Sequence, residues 1–290
     1  MATQVASSVL DRSRPESRRV WEASFDIDQN DPFFFDHPLD HAPAMLLLET
    51  VLRTAERAAD ESSEVVAERH LARLRLEFGR FCELTPAPVV QVRADADQSG
   101  RWDVELRQDG AVIATGELGW RPRIWVAPDP ADRPQTLPEP SPPHLVHRWR
   151  PENVLVGGLT KVATGAFQIG VLPPPPGHYF RRRDGHFRPV GELIESARQF
   201  GTLLGHMACN VRLGMQFVVQ SLAVELTRQV TRDEWITILA PSLPALRGGR
   251  GKWSLTVVIR AGDETVGTAA MDGSVFSAEA FARIRGRSGK

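Results

Sequence analysis

Phe33-Phe34-Phe35-Asp36-His37-Pro38-Leu39-Asp40-His41-Ala42-Pro43-Ala44-Met45-Leu46-Leu47-Leu48-Glu49 is an aromatic run, a turn rich in histidine and proline, and then an apolar helix with a glutamate facing inward. The same order returns as Gly177-His178-Tyr179-Phe180, an arginine triplet, and Asp184-Gly185-His186-Phe187-Arg188-Pro189-Val190-Gly191-Glu192-Leu193-Ile194-Glu195. Phe33 and Tyr179, Pro43 and Pro189, Glu49 and Glu195 all stand at one offset of 146 residues. A single spacing shared by an aromatic, a proline and a glutamate argues for internal duplication.

Each half continues alike. β-like runs follow the helix at residues 71–81 and 88–94, and again at 215–226 and 235–240. Each half then ends in a hairpin that opens with tryptophan: Trp102 with a turn at Asp109-Gly110, and Trp253 with a turn at Gly262-Asp263. Alternating apolar residues around Asp-Gly or Gly-Asp are a strong hairpin signal. One long helix followed by consecutive antiparallel strands is an α+β pattern. The two can hide their apolar faces only against each other, so the sheet is expected to curl around the helix. This is the hotdog arrangement. Two copies in one chain make a double hotdog, a built-in pseudo-dimer, and pairing of two such chains into a homo-oligomer is left open.

The expected modules are residues 1–120 and 144–290, joined by a connector at 121–143. That connector holds eight prolines, a density that excludes helix and favours a stiff, extended link. A chain of 290 residues with 42% apolar content suits two ordinary globular domains. No apolar run approaches the ~18 residues needed to span a bilayer, and residues 1–14 lack the apolar core of a signal peptide and read as a frayed tail. Cys82 and Cys209 have no ligand-like spacing and read as packing residues of a reduced, cytoplasmic protein.

A formal net charge of −1 conceals an asymmetry. Residues 1–143 carry 16 Lys and Arg against 25 Asp and Glu, a net of −9, whereas residues 144–290 carry 19 against 11, a net of +8. The second half is the expected landing place for an anionic partner such as a carrier protein, phosphopantetheine or a phosphorylated substrate; mutual complementarity of the two modules is the alternative. The basic residues are not interleaved with aromatics in a nucleic-acid motif. No HExxH, paired CxxC or Walker-type loop is present, so neither a metal nor a nucleotide cofactor is expected.

In a hotdog the turn before the helix and its first turns line the acyl-thioester tunnel, and the helix N-terminus offers free N–H groups to a carbonyl or oxyanion. A carboxylate on an apolar helix face is suited to proton transfer, since desolvation raises its pKa. Glu49 and Glu195 are those carboxylates; the alternative is an ion pair with an arginine across the interface between modules. Arg198 follows Glu195 by three residues, on the same helix face, as a surface ion pair or a cationic clamp. His37 and His41 flank Pro38 and Asp40 and suit a general base, although Asp40 also suits a helix cap. His186 holds the comparable turn of the second half.

The stretch from Phe34 to Glu49 closely resembles the FFDHPxDHxPGMLLLEA motif of the A-factor (gamma-butyrolactone) biosynthesis, AfsA-type, double-hotdog family. Val146-His147-Arg148 and Leu193-Ile194-Glu195-Ser196-Ala197-Arg198-Gln199, with His206 and Phe217, are similar to the family's other module, so the resemblance covers nearly the whole chain. It implies an acyltransferase that moves a beta-ketoacyl chain from an acyl carrier protein to the hydroxyl of dihydroxyacetone phosphate, with no cofactor beyond the carrier's phosphopantetheine. The site residues are then expected to be Glu195, Arg198, Glu49, His37 and His41 as catalytic groups, with Asp40, Phe35, Arg53, His186 and Gln199 lining the substrate.

Three departures from the family pattern stand in the sequence. The FFDHP motif comes in the first module rather than the second. The residue three after Glu49 is Leu52, with arginine falling one later at Arg53. Ala44 replaces the glycine of the PGM tripeptide. Two other readings stay open: a dehydratase in which His37 or His41 removes a proton and Glu49 or Glu195 protonates the leaving hydroxyl, and a non-catalytic protein that binds an acyl or butenolide ligand.

Overall fold

The computed structural model describes residues 19–62, 69–94, 100–123, 134, 136–182, 185–244, 246 and 251–288, so the expected N-terminal tail and much of the proline-rich connector lie outside the described residues. The chain divides into two compact units, Met1–Arg123 and Ile124–Lys290.

The duplication is written into the helices. Helix α1 spans Ala44–Ser62 and helix α2 spans Val190–Ala208, so both have 19 residues and both ends repeat the 146-residue offset. Each starts directly after a proline, whose missing N–H is harmless where the helix has no partner for it. The carbonyls of Pro43 and Pro189 accept the first helical N–H groups, from Leu46 and Glu192. The two helices bury different amounts of their surface. In α1 the buried residues are mainly the stripe Leu46, Leu47, Leu48, Val51, Leu52, Ala55, Ala58 and Ala59, while α2 is buried almost all round from Gly191 to Gly205. Helix α2 ends where Asn210 turns left-handed at φ 56 and the Cys209 N–H bonds the Leu204 carbonyl.

In the first unit β1 (Arg19–Ser24), β2 (Arg69–Phe78), β3 (Val89–Ala94), β4 (Arg101–Gln108) and β5 (Ala111–Pro122) pair antiparallel in the order β1-β3-β4-β5-β2. In the second, β6 (Thr160–Lys161), β7 (Phe167–Gly170), β8 (Gln216–Leu226), β9 (Ile236–Ala240), β10 (Gly251–Ala261) and β11 (Glu264–Phe276) pair in the order β6-β7-β9-β10-β11-β8. Apart from β6 the orders are the same, with β7 standing for β1 and β8 for β2. Helix α1 packs on β1 and β3, and α2 on β11, so each unit is a sheet on one central helix, a double hotdog in one chain.

Both expected hairpins are present, and Asp109 and Gly110 adopt the left-handed φ of 50 and 74 that a two-residue hairpin turn demands. The strands are not one consecutive run, however. β2 pairs with β5 rather than β3, because residues 79–88 are too long a connection for a tight hairpin and carry the chain to the opposite side of the sheet. The short strands β1 and β6 lie at edges, with β7 between β6 and β9, and a helix α3 (Ala278–Ser288) follows β11.

Two glycines mark matching close approaches. Gly116 in β5 lies opposite Leu76, and Gly267 in β11 lies opposite Leu226. A Cβ at either position would run into the backbone carbonyl oxygen of the facing strand, that of Arg75 or of Glu225. Gly116→Ala and Gly267→Ala are each expected to cost about 1–3 kcal/mol, because backbone must shift to admit the methyl. Urea unfolding checks this, and an unchanged midpoint in either variant would show that the strands separate freely there.

Candidate active site

Glu195 is the sixth residue of α2 and is fully buried. Its carboxylate meets two guanidinium groups. Arg198, one turn on, forks onto it with Nε to Oε2 at 2.7 Å and Nη2 to Oε1 at 2.7 Å. Arg148, from the segment leading into the unit, donates to Oε1 through Nε at 3.1 Å and Nη2 at 2.6 Å. Gln199 adds a bond from Nε2 to Oε1 at 2.8 Å. The Gln199 amide is itself fixed by the Leu155 N–H and the Asn153 carbonyl, each at 2.8 Å. The Glu195–Arg198 pair is thus buried rather than a solvated helix-surface pair, and Glu195 is satisfied by arginines of its own unit.

His147 has a left-handed φ of 53, and its ring lies beside those of His206 and Phe217 while the next residue, Arg148, enters the interior. Burial alone would push the Glu195 carboxyl up, as expected from the sequence. The charges of Arg148 and Arg198, with the hydrogen bonds of Arg198 and Gln199, overturn that and hold it at about 2. Near neutral pH this cluster is a fixed carboxylate under two cations, a source of positive field rather than a proton carrier.

His178, at the start of the second aromatic stretch, is buried and electrostatically linked to the cluster. Its pKa falls to about 4, first because of burial and then because of Arg148, with Glu195 partly opposing. The Phe180 N–H donates to Nδ1 at 3.2 Å, which puts the proton of the neutral imidazole on Nε2. Neither Arg148 nor His178 was among the residues expected to form the site. Arg148 is 47 residues from Glu195, so no local spacing links them, and its sequence signal was the family-like Val146-His147-Arg148 triplet. His178 was visible only as the residue before the Tyr179-Phe180 pair.

A second buried group lies at the start of α2. Arg188 pairs with Glu192, Arg232 Nη1 stands 3.6 Å from Glu192 Oε2, and Arg188 also donates to the Glu234 carbonyl. His186, just before it, is exposed, with its ring edge-on to Phe187.

In the first unit Glu49 is buried, 4% exposed, at the α1 position matching Glu195. The position three residues on is Leu52 rather than arginine, and Arg53 is half-buried. The turn before α1 carries two histidine–carboxylate pairs: His37 Nδ1 to Asp36 Oδ1 and His41 Nδ1 to Asp40 Oδ1, both at 2.7 Å. They differ in depth, since the Asp36 side chain is 0% exposed and that of Asp40 is 62% exposed. Asp36 therefore fixes its histidine from the interior. Phe35 is half-buried beside it, and the His41 ring is edge-on to Phe81. The Cys82 thiol is pushed up to about 12 by burial, which suits packing rather than nucleophilic chemistry.

The fold matches dehydratase structures from polyketide assembly. A structure of dehydratases from type I polyketide synthases superposes with a TM-score of 0.57 at 19% identity, over 93% of this chain and 97% of that one. The dehydratase domain of PpsC from Mycobacterium tuberculosis, in complex with C12:1-CoA, gives 0.54 at 17% identity over 94% and 98%. A 2-oxo-3-(phosphooxy)propyl 3-oxoalkanoate synthase of Streptomyces virginiae is 37% identical over 68 residues, 23% of this chain, and the match spans about a fifth (21%) of that relative's length. The family model of the A-factor biosynthesis hotdog domain matches residues 3–123 and again 130–277, once in each unit. With nearly the whole chain covered by that double match, the protein belongs to the A-factor biosynthesis hotdog domain family.

Proposed function

We propose that this biosynthetic acyl-thioester-processing enzyme is an acyltransferase, moving a beta-ketoacyl chain from an acyl carrier protein to the hydroxyl of a small phosphorylated acceptor resembling dihydroxyacetone phosphate. The observation that carries the reading is the buried cluster of Glu195, Arg148 and Arg198 within the second unit. In the first unit, taken by itself, buried Asp36 holds His37 through Nδ1, an orientation that suits the ring to general-base work. Arg148 and Arg198, locked on the ionised Glu195, supply positive charge for an oxyanion or a phosphate. In this assignment Glu195 holds the arginines in place and is not the base; Glu49, His41, Phe35, Asp40, Arg53, His186 and Gln199 remain candidates for lining the substrate. The synthase name of the Streptomyces virginiae relative agrees with transfer to a phosphorylated three-carbon acceptor.

The test is intact-mass analysis of a beta-ketoacyl carrier protein incubated with the enzyme, with and without dihydroxyacetone phosphate. Acceptor-dependent unloading is expected, and Arg198→Met, which leaves Glu195 paired with Arg148, is expected to slow it by about 100-fold. Dehydration of a beta-hydroxyacyl thioester would use the same oriented histidine with a helix carboxyl such as Glu49. Loss of one water from a chain still on its carrier would therefore replace transfer with dehydration, and no change on either substrate would leave a binding protein.

A further inference from the structure

Six large apolar side chains are exposed among the described residues, and the three most exposed, Trp149 (68%), Leu213 (62%) and Met207 (59%), all belong to the second unit. Each follows, by one or two residues, a residue of one contact. His147 and His206 bring Nε2 atoms to 3.4 Å, both rings lie edge-on to Phe217, and His206 Nδ1 bonds the Val211 carbonyl. Trp149 follows His147 by two residues, Met207 follows His206 directly, and Leu213 follows Val211 by two. Leu243, 40% exposed, adjoins Pro244, whose carbonyl stands 3.9 Å from Cys209 Sγ near the same helix end. Exposed Arg150 and Arg212 sit next to Trp149 and Leu213.

Large exposed apolar side chains next in sequence to the residues of one contact, and flanked by charge, point to an interaction surface, and Trp, Met and Arg are residue types enriched at such surfaces. The rim chooses the partner's sign. Arg212 and Arg150 are cationic, Arg150 standing 3.6 Å from exposed Glu152, and residues 144–290 carry a net charge of +8, so an acidic protein is favoured over a second, equally basic copy of this face. The segment from Val146 to Arg150 also joins surface to interior: Trp149 and Arg150 face solvent, while Arg148 between them and His147 reaches Glu195.

We infer that this patch seats the acidic carrier protein that delivers the acyl thioester, with Trp149 as its apolar anchor and Arg150 and Arg212 as its cationic rim; the inference rests on the acyl-thioester reading above. Binding of phosphopantetheinylated acyl carrier protein to the full chain, followed by fluorescence anisotropy, is expected to weaken at least about tenfold in Trp149→Ala and in the Arg150→Glu, Arg212→Glu double variant. Turnover of a pantetheine thioester that lacks the carrier is expected to stay at the wild-type rate in both. Variants that bind the carrier like wild type, or that lose carrier-free turnover as well, overturn the inference. Binding lost in the variants while wild type itself makes no product from either substrate would keep the docking surface and remove the catalytic reading; product formed by wild type with carrier binding unchanged in the variants would do the reverse. A concentration-dependent dimer abolished by Trp149→Ala would give the patch to a second copy and overturn it.

Discussion

Glu195→Ala is expected to abolish activity and to lower stability by about 3–5 kcal/mol, because it strands a cation in the interior. The Arg148 side chain is 6% exposed and makes both of its carboxylate bonds to Glu195 Oε1, whereas Arg198, at 19%, has more access to water. Arg148 therefore sets most of the cost. Arg148→Met in the Glu195→Ala background is expected to recover part of the loss, since it removes the uncompensated charge, and the two substitutions will not add. Urea unfolding of both singles and the double measures this. A single-variant loss below about 1 kcal/mol would mean that the cluster is hydrated and behaves as a surface pair.

Acid is expected to unfold the protein in two overlapping stages. His178 has a folded pKa of about 4 against an ordinary 6.5, so between those values only the unfolded chain binds its proton. Its contribution is complete above about 6.5 and is lost as the pH falls toward 4. Glu195, held at about 2 against 4.5, contributes fully above 4.5 and loses that contribution as the pH falls toward 2. While either group is in its window, stability falls by about 1.4 kcal/mol per pH unit. His178→Gln is expected to flatten the limb between pH 6.5 and 4 and leave the lower one, as read by unfolding midpoints across that range. An unchanged upper limb would mean that His178 is hydrated in the folded state.

Much of the fold was legible because its signals are periodic. The repeated offset, the two tryptophan-led hairpins and the leucine-flanked glutamates each report a local pattern, and each reappears as α1, α2, β4-β5 or β10-β11. What was not legible depends on where the chain goes between elements. The ten residues before β3 look like any loop in sequence, yet they decide that β2 joins β5. Strands β6 and β7, of two and four residues, are too short for an alternation to register.

At the candidate site the same division holds. Arg198 was visible from Glu195 at helical spacing, but Arg148 comes from a distant segment marked in sequence by the family-like Val146-His147-Arg148 triplet, which says nothing of its pairing with Glu195. The direction of the Glu195 shift was misjudged for that reason: burial can be read from the neighbouring leucine and isoleucine, whereas a second arginine arriving from 47 residues away cannot.

The equal length and spacing of the two helices bear on how such a protein can change. In an assembly made by pairing two identical chains, every substitution appears at both symmetry-related positions, so a residue that helps one catalytic centre is imposed on its twin. Joining the copies in one polypeptide lifts that constraint. Glu195 has Arg198 three residues on, while Glu49 has Leu52 at the same place, a difference that a symmetric pair could not encode. Covalent fusion lets one repeat keep or acquire a charged centre while the other drifts toward a scaffold or a different ligand, so divergence between halves of a single gene becomes the source of new specificity.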